Sequence, residues 1–132
     1  MIELKLRTTS HTQFLEITSL VQTEINRAGI KAGSATVFVP HTTAGIMIQE
    51  NADPDVMRDM EYALEKMIPW KDHNYRHGEG NTAAHVKAAC LGSSAHVFIE
   101  DGQIQFGTWQ GIYLCEFDGP RSRNVWVKLQ KD

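Results

Sequence analysis

The chain has 132 residues, 42% of them hydrophobic and 22% charged, and its formal net charge is −3. This composition predicts one globular domain over residues 1–132, excludes disordered and low-complexity classes, and argues against a nucleic-acid partner because a basic surplus is missing. No apolar run reaches the roughly 18 residues of a membrane span and the charged start lacks the apolar core of a signal peptide, so we expect a cytoplasmic protein without a membrane partner.

The first fifty residues predict four strands and one helix. In chain order these are strands at 2–8 and 14–18, a helix from Thr18 or Ser19 to Ala28, and strands at 34–39 and 44–49. The strands follow from apolar alternation or β-branched runs, and the helix from apolar residues spaced three and four apart. Because the turn at 9–12 is short, we expect the first two strands to pair as a hairpin.

The rest of the chain predicts two helices followed by strands. In chain order these are a helix that begins after Asp53 and ends before Pro69, a helix capped by Asn81 or Thr82 that ends at Gly92, and strands at 95–99, 103–106, 108–117 and 124–129. Asp101-Gly102 is typical of a tight hairpin turn. Strands at both ends, joined late in the chain by short turns, predict an α+β fold with an antiparallel sheet.

The segment from His77 to His85 concentrates residues that bind metals or anions. In a helix Asn81 and His85 share one face, and His77 can fold back toward His85. Imidazole and carboxylate groups suit a divalent ion such as Zn²⁺ or Mg²⁺, although the spacing matches no standard zinc signature. A bare helix start after Gly80 also suits an anion. The alternative is that Glu79 and Asn81 only cap the helix and His85 is a surface residue.

Two further places carry candidate ligands. His41, at the junction after Pro40, is either a third metal ligand or an ordinary turn residue, and the hydroxyls of Thr42 and Thr43 beside it can hold a phosphate. Arg121 and Arg123 lie just past a predicted turn. A guanidinium binds phosphate with two parallel hydrogen bonds, so these residues are either phosphate ligands or solvated surface residues.

Ordered motifs extend along nearly the whole chain. They are Pro40 to Gly45, Glu50-Asn51 with Asp53-Pro54-Asp55, Tyr75-Arg76-His77 with Glu79-Gly80-Asn81 and His85, Gly107 to Gln110, and Cys115 to Arg121. Together they resemble the YjbQ-like family of secondary thiamine-phosphate synthases. The resemblance implies a β-sandwich-like α+β fold, a homotrimer, and a metal pocket at His41, His77 and His85. It also implies a transferase that joins a pyrimidine pyrophosphate to a thiazole phosphate.

The leading hypothesis is therefore a metal-dependent enzyme that acts on small phosphorylated substrates. The expected catalytic residues are Glu79, Asn81 and His85, and the expected phosphate-binding residues are Thr42, Thr43, Asn81, Arg121 and Arg123. The alternatives are a metal-dependent hydrolase, which would use histidine ligands to activate water, and a non-enzymatic binding module for a phosphorylated metabolite. We also expect the segment with the two arginines to come from a neighbouring subunit of the trimer.

Overall fold

The computed structural model describes residues 1–132, which form eight strands and three helices. The elements are β1 (Ile2–Arg7), β2 (Gln13–Glu16), α1 (Thr18–Ala28), β3 (Gly33–Phe38), β4 (Ala44–Glu50), α2 (Pro54–Met67), α3 (Thr82–Leu91), β5 (Ser94–Glu100), β6 (Gln103–Gln105), β7 (Gln110–Glu116) and β8 (Ser122–Lys131). All strand pairs are antiparallel, so the predicted α+β class with three helices is confirmed.

The strands form two sheets, and the predicted hairpin between the first two strands is wrong. The larger sheet has the order β1-β8-β3-β5-β6, and the smaller has the order β2-β7-β4. Ile2 pairs with Val127, whereas Phe14 pairs with Cys115, so the turn after β1 carries the chain from one sheet to the other. Alternation in the sequence indicates which face of a strand is buried, but it does not indicate which strand lies alongside.

Two hydrophobic clusters lie on opposite faces of the smaller sheet. Ile112 and Leu114 of β7 face the main core, which is closed by the larger sheet and α1. Tyr113 and Cys115 face a second cluster together with Ala84 and other residues of α3. Strand β7 is thus buried on both faces, and a polar side chain on it needs partners inside the protein.

The predicted boundaries hold for the helices, whereas the ends of several strands shift by one or two residues. Asp53 caps α2 by accepting a hydrogen bond from the Asp55 amide, and α3 ends at Gly92, both as expected. Strand β7 begins at Gln110 rather than at 108, because Gly107 and Gln110 close a turn with two hydrogen bonds. None of the three helices is long and apolar enough to span a bilayer.

A close approach between α3 and β4 positions the candidate residues. The Ile46 amide donates to the carbonyl of Gly92 at 2.9 Å. A Cβ at Gly45 would lie 2.9 Å from the same carbonyl oxygen, so only glycine fits here without a shift of the backbone. This contact brings the loop between β3 and β4, which carries His41, next to the helix that carries His85.

Candidate functional site

The three predicted segments meet within one chain. Nδ2 of Asn81 donates to Oδ2 of Asp118 at 2.8 Å, which joins the second segment to the third. Nη2 of Arg123 donates to Oγ1 of Thr43 at 2.8 Å, which joins the third segment to the first. Hydrogen bonds within one chain thus join the segment with the arginines to the other two segments, and a contribution of this segment to a neighbouring subunit stays a prediction.

A cavity of about 370 Å³ opens where the β3–β4 loop faces α3. His41 and Thr42 line it from the loop, and His85 lines it from the helix. The rest of the wall consists of small residues, namely Ala44, Ala88, Ala89, Gly92 and Ser93. Imidazole and hydroxyl groups around a cavity of this size suit a small polar ligand.

His77 and His85 form a pair at the start of α3. Their ring centroids lie 5.4 Å apart and the rings are nearly perpendicular. Together with Thr82 they line a recess of about 330 Å³, so His85 borders both this recess and the 370 Å³ cavity. The sequence-based prediction that His77 folds back toward His85 agrees with this arrangement.

The three histidines do not fit a single metal site as they stand. No group of three or more His, Cys, Asp or Glu side chains is placed to hold a metal ion. Nε2 of His41 accepts a hydrogen bond from the Asn124 amide at 2.9 Å, which occupies that nitrogen. His77 and His85 are the residues of the predicted set that could still share an ion.

The contact of His41 arises where β3 leaves the larger sheet. Phe38 is paired with Trp126, so the same register would place Pro40 opposite Asn124. The strand ends before Pro40, and the imidazole of His41 accepts from the Asn124 amide instead. Burial and the nearby Arg123 guanidinium lower the pKa of His41 below its ordinary value of 6.5, against a smaller opposing effect of Glu116.

A buried ion pair links the two sheets beneath this loop. The side chains of Glu116 and Arg123 are 0% and 3% exposed, and Nε of Arg123 donates to Oε1 of Glu116 at 2.8 Å. The hydroxyl of Thr8 and the Asp118 amide donate to the same carboxylate at 2.8 and 2.9 Å. Burial acts to raise the pKa of Glu116, but the hydrogen bonds from Arg123, Asp118 and Thr8 outweigh it and hold this pKa below 4.5.

The predicted phosphate ligands divide into buried and accessible residues. Thr43 is buried, and Arg123 is 3% exposed with Nε and Nη2 engaged by Glu116 and Thr43. Thr42 is exposed at the cavity. The side chain of Arg121 is 50% exposed, and it donates to the carbonyl and carboxylate of Asp118 while Nη1 has no protein acceptor. Thr42 and Arg121 are thus the members of the set that a ligand can reach.

Asn81 occupies the N-cap position of α3 but does not cap the helix with its side chain. Its Nδ2 donates to Asp118 and, at 3.5 Å, to Glu79, so the amide is turned toward two carboxylates. Its Oδ1 is the one buried side-chain polar atom without a hydrogen-bond partner. The cap interpretation is therefore wrong for the side chain of Asn81, and Glu79 remains exposed beside it.

Sequence reasoning missed the role of Glu116. A signal was available, because Glu116 follows Ile112 and Leu114 at the inward-facing alternate position of β7, and Arg123 precedes Val125 in the same way on β8. A charge at a core position needs a partner of opposite charge, and these two residues supply it to each other. The sequence carries no comparable signal for the Asn124 amide, because its hydrogen bond to His41 depends on where β3 leaves the larger sheet.

Comparison with known proteins gives one consistent family. A family model described as UPF0047 protein YjbQ-like matches residues 2–132. UPF0047 protein YugU of Bacillus subtilis is 48% identical over 96% of both chains. UPF0047 protein MJ1081 of Methanocaldococcus jannaschii is 42% identical over 100% of this chain and 95% of the relative.

Solved structures show the same fold. An uncharacterized conserved protein of the YjbQ/UPF0047 family from Clostridium acetobutylicum superposes with a TM-score of 0.96 at 52% identity, over 98% of this chain and 100% of that one. The conserved hypothetical protein TT1486 of Thermus thermophilus superposes with a TM-score of 0.92 at 38% identity, over 98% and 100% of the two chains. These descriptions carry no statement of activity, so the function has to be argued from the site.

Proposed function

Since this chain belongs to the UPF0047 YjbQ-like family, we propose that the cavity bordered by His41, Thr42 and His85 is the active site of an enzyme acting on small phosphorylated substrates. One observation carries the proposal: residues from separate segments of the sequence line a single small cavity. Their chemistry suits an anion, because hydroxyl and imidazole N–H groups donate hydrogen bonds to phosphate oxygens. We place the enzyme in the cytoplasm, as the sequence predicts.

The accessible residues divide into binding and proton-transfer roles. Thr42 on the cavity wall supplies a donor to a phosphate group, and the free Nη1 of Arg121, whose charge acts on His41, supplies another. His85 borders both the cavity and the recess with His77, which suits proton transfer to a reacting oxygen. A divalent ion shared by His77 and His85 would supply positive charge to a pyrophosphate group. Glu79 and Asn81 lie in the sequence between the residues that line this recess, and we assign them the role of orienting the His77–His85 pair.

The proposed reaction joins a pyrimidine pyrophosphate to a thiazole phosphate. The thiazole phosphate forms the new bond to the pyrimidine unit, and the bond between that unit and pyrophosphate breaks, so that pyrophosphate leaves with the electron pair. Negative charge accumulates on the leaving oxygen, and preorganised donors stabilise it. The open side of the His77–His85 pair also favours a second candidate, in which water replaces the thiazole phosphate and the enzyme is a hydrolase.

Substrate assays separate these functions. We expect purified protein with Zn²⁺ or Mg²⁺ to form thiamine phosphate from the two substrates, and His85→Ala to reduce the rate at least about 100-fold, as loss of a proton-transfer group does. His96→Ala is the matched control, because His96 contacts Thr36 on the larger sheet at 3.1 Å and lines no part of the cavity.

Each outcome assigns a function or removes one. Release of pyrophosphate from the pyrimidine pyrophosphate alone, without the thiazole phosphate, would identify the hydrolase. Binding of phosphorylated compounds without turnover would identify a binding module. Neither binding nor turnover, in protein that is shown to be folded, would contradict the proposal as a whole.

We also propose that the chain assembles as a homotrimer. Aromatic side chains on the outer face of the larger sheet support self-association: Phe38 and Trp126 stack with centroids 5.7 Å apart, and Phe98 is 65% exposed. Sedimentation equilibrium should give three times the mass of the chain. A monomer at about micromolar concentration and above would contradict the homotrimer, but it would not contradict the assignment of the cavity as the active site.

A further inference from the structure

We propose that His41 donates a hydrogen bond from Nδ1–H to an anionic oxygen of the bound ligand, and that it is not a metal ligand. The inference deepens the proposed function and rests on it for the class of ligand, which is a compound that carries phosphate. It assigns His41 the role of a ligand-binding residue whose ring is held in one tautomer by the backbone of β8.

The partner of Nε2 fixes the position of the ring proton. A backbone amide can only donate, so Nε2 of His41 must present its lone pair to the Asn124 N–H, 2.9 Å away. A neutral imidazole has one acceptor nitrogen and one N–H. With Nε2 as the acceptor, the proton is on Nδ1.

The fold keeps the ring in this orientation. The Asn124 amide lies at the point where β3 ends after Phe38, so no residue of that strand accepts from it. A partly buried amide that faces the protein without an acceptor is unfavourable, and His41 removes this cost. A rotation of the ring that freed Nε2 would leave the amide unpaired, so the arrangement favours one tautomer.

The other ring nitrogen is open to a ligand. No protein atom accepts from Nδ1 of His41, and it is not enclosed, since the one buried and unpartnered side-chain polar atom is Oδ1 of Asn81. His41 lines the 370 Å³ cavity next to the exposed hydroxyl of Thr42. These two donors on one loop match an anionic oxygen.

The same geometry excludes a metal ion at His41. Nδ1 could bind a metal only through its lone pair, and the ring proton would then be on Nε2. That proton would point at the Asn124 N–H, so two donors would face each other across 2.9 Å. Histidine ligands of metals normally donate their second N–H to an acceptor, which is the opposite of what His41 has.

Two substitutions separate the nitrogens of His41. In His41→Asn the side-chain NH₂ takes the position of Nδ1, and in His41→Gln the side-chain oxygen takes the position of Nε2 and can accept from the Asn124 amide. With inorganic phosphate as the probe, we expect His41→Asn to bind within about threefold of the wild type. We expect His41→Gln to bind about tenfold more weakly, the size of one lost hydrogen bond to a charged group.

Zn²⁺ titration provides the second measurement. Both variants should bind the ion as tightly as the wild type, whereas His85→Ala should lose it. ¹⁵N NMR of the wild-type ring should show an unprotonated Nε2 and a protonated Nδ1, which tests the tautomer even if a variant folds poorly.

Phosphate binding that is unchanged in His41→Gln, Zn²⁺ affinity that falls in both variants, or the Nε2–H tautomer would each overturn the inference alone. Wild-type protein that binds no phosphate would contradict both the inference and the proposed function, so the two failures are distinguishable.

Discussion

Two polar clusters flank the loop after β3, and they differ in how completely the protein satisfies them. The ion-pair cluster consists of Glu116, Arg123, Thr8 and Thr43, and its members are all buried and hydrogen-bonded to one another. The histidine cluster consists of His41, His77 and His85. There the one side-chain hydrogen bond is that of His41 Nε2 with the Asn124 amide, and the other ring nitrogens have no protein partner.

This difference between the ion-pair cluster and the histidine cluster distinguishes residues that stabilise the fold from residues that can bind a ligand. A buried charge that is paired is held in place by its partner, and removing that partner destabilises the fold. Ring nitrogens at a cavity wall contribute little to stability, but they remain free to bind. We therefore expect substitutions in the ion-pair cluster to change stability and substitutions around the cavity to change binding.

The largest effect is expected from Arg123→Met. The substitution leaves the carboxylate of Glu116 at 0% exposure without its cation, and breaking a buried pair in this way costs about 3–5 kcal/mol. Urea denaturation at neutral pH measures the loss. The double variant Glu116→Leu/Arg123→Met removes both charges and should recover much of the stability.

The double variant tests whether the unpaired buried charge of Glu116 causes the loss of stability in Arg123→Met. If Arg123→Met cost less than about 1 kcal/mol, which is the range of exposed pairs, the cluster would not be an architectural element. Phosphate binding that disappeared in a fully folded Arg123→Met protein would instead return Arg123 to the ligand site.

The sequence predicts the parts of this comparison that depend on local pattern. The start of one helix is enough to bring His77 and His85 together, without help from other parts of the fold. The cap at Asp53 is equally local. The buried state of Glu116 was also accessible, because strand alternation places it inward. In contrast, the hydrogen bond to the Asn124 amide depends on long-range register, which local pattern does not contain.

An intermediate effect is expected at Arg121, which donates to Asp118 next to the ion-pair cluster. Its side chain is 50% exposed and donates to Asp118, while Nη1 is free. Arg121→Ala should weaken the binding of inorganic phosphate about fivefold, the size of one hydrogen bond at an accessible site, and leave stability within about 0.5 kcal/mol. Isothermal calorimetry and urea denaturation measure the two quantities.

A matched control is Arg58→Ala, because the Arg58 side chain is 81% exposed on α2, where it pairs with Asp55 of the same helix. Equal phosphate affinity in the wild type and both variants would identify Arg121 as a solvated surface residue. A large loss of stability in Arg121→Ala would instead extend the ion-pair cluster outward to Asp118.

The smallest effect is expected at a second ion pair, which has similar chemistry but a different exposure. Nζ of Lys87 donates to Oε2 of Glu65 at 2.7 Å; the lysine side chain is 4% exposed and the glutamate side chain 53%. The hydrogen bond from Lys87 lowers the pKa of Glu65 below 4.5. Water screens the exposed carboxylate, and glutamine still offers an acceptor to Lys87, so Glu65→Gln should cost less than about 1 kcal/mol at neutral pH.

The sign of the pH dependence follows from the lowered pKa. A carboxylate whose pKa is lower in the folded state stabilises the protein fully above its unfolded-state value of 4.5, and this contribution is lost as the pH falls through the folded-state pKa. The difference in unfolding free energy between wild type and Glu65→Gln should therefore shrink in acid, as urea denaturation at several pH values would show. If Glu65→Gln lost as much unfolding free energy as Arg123→Met, burial of the cation alone, rather than of both charges, would decide which ion pairs stabilise the fold.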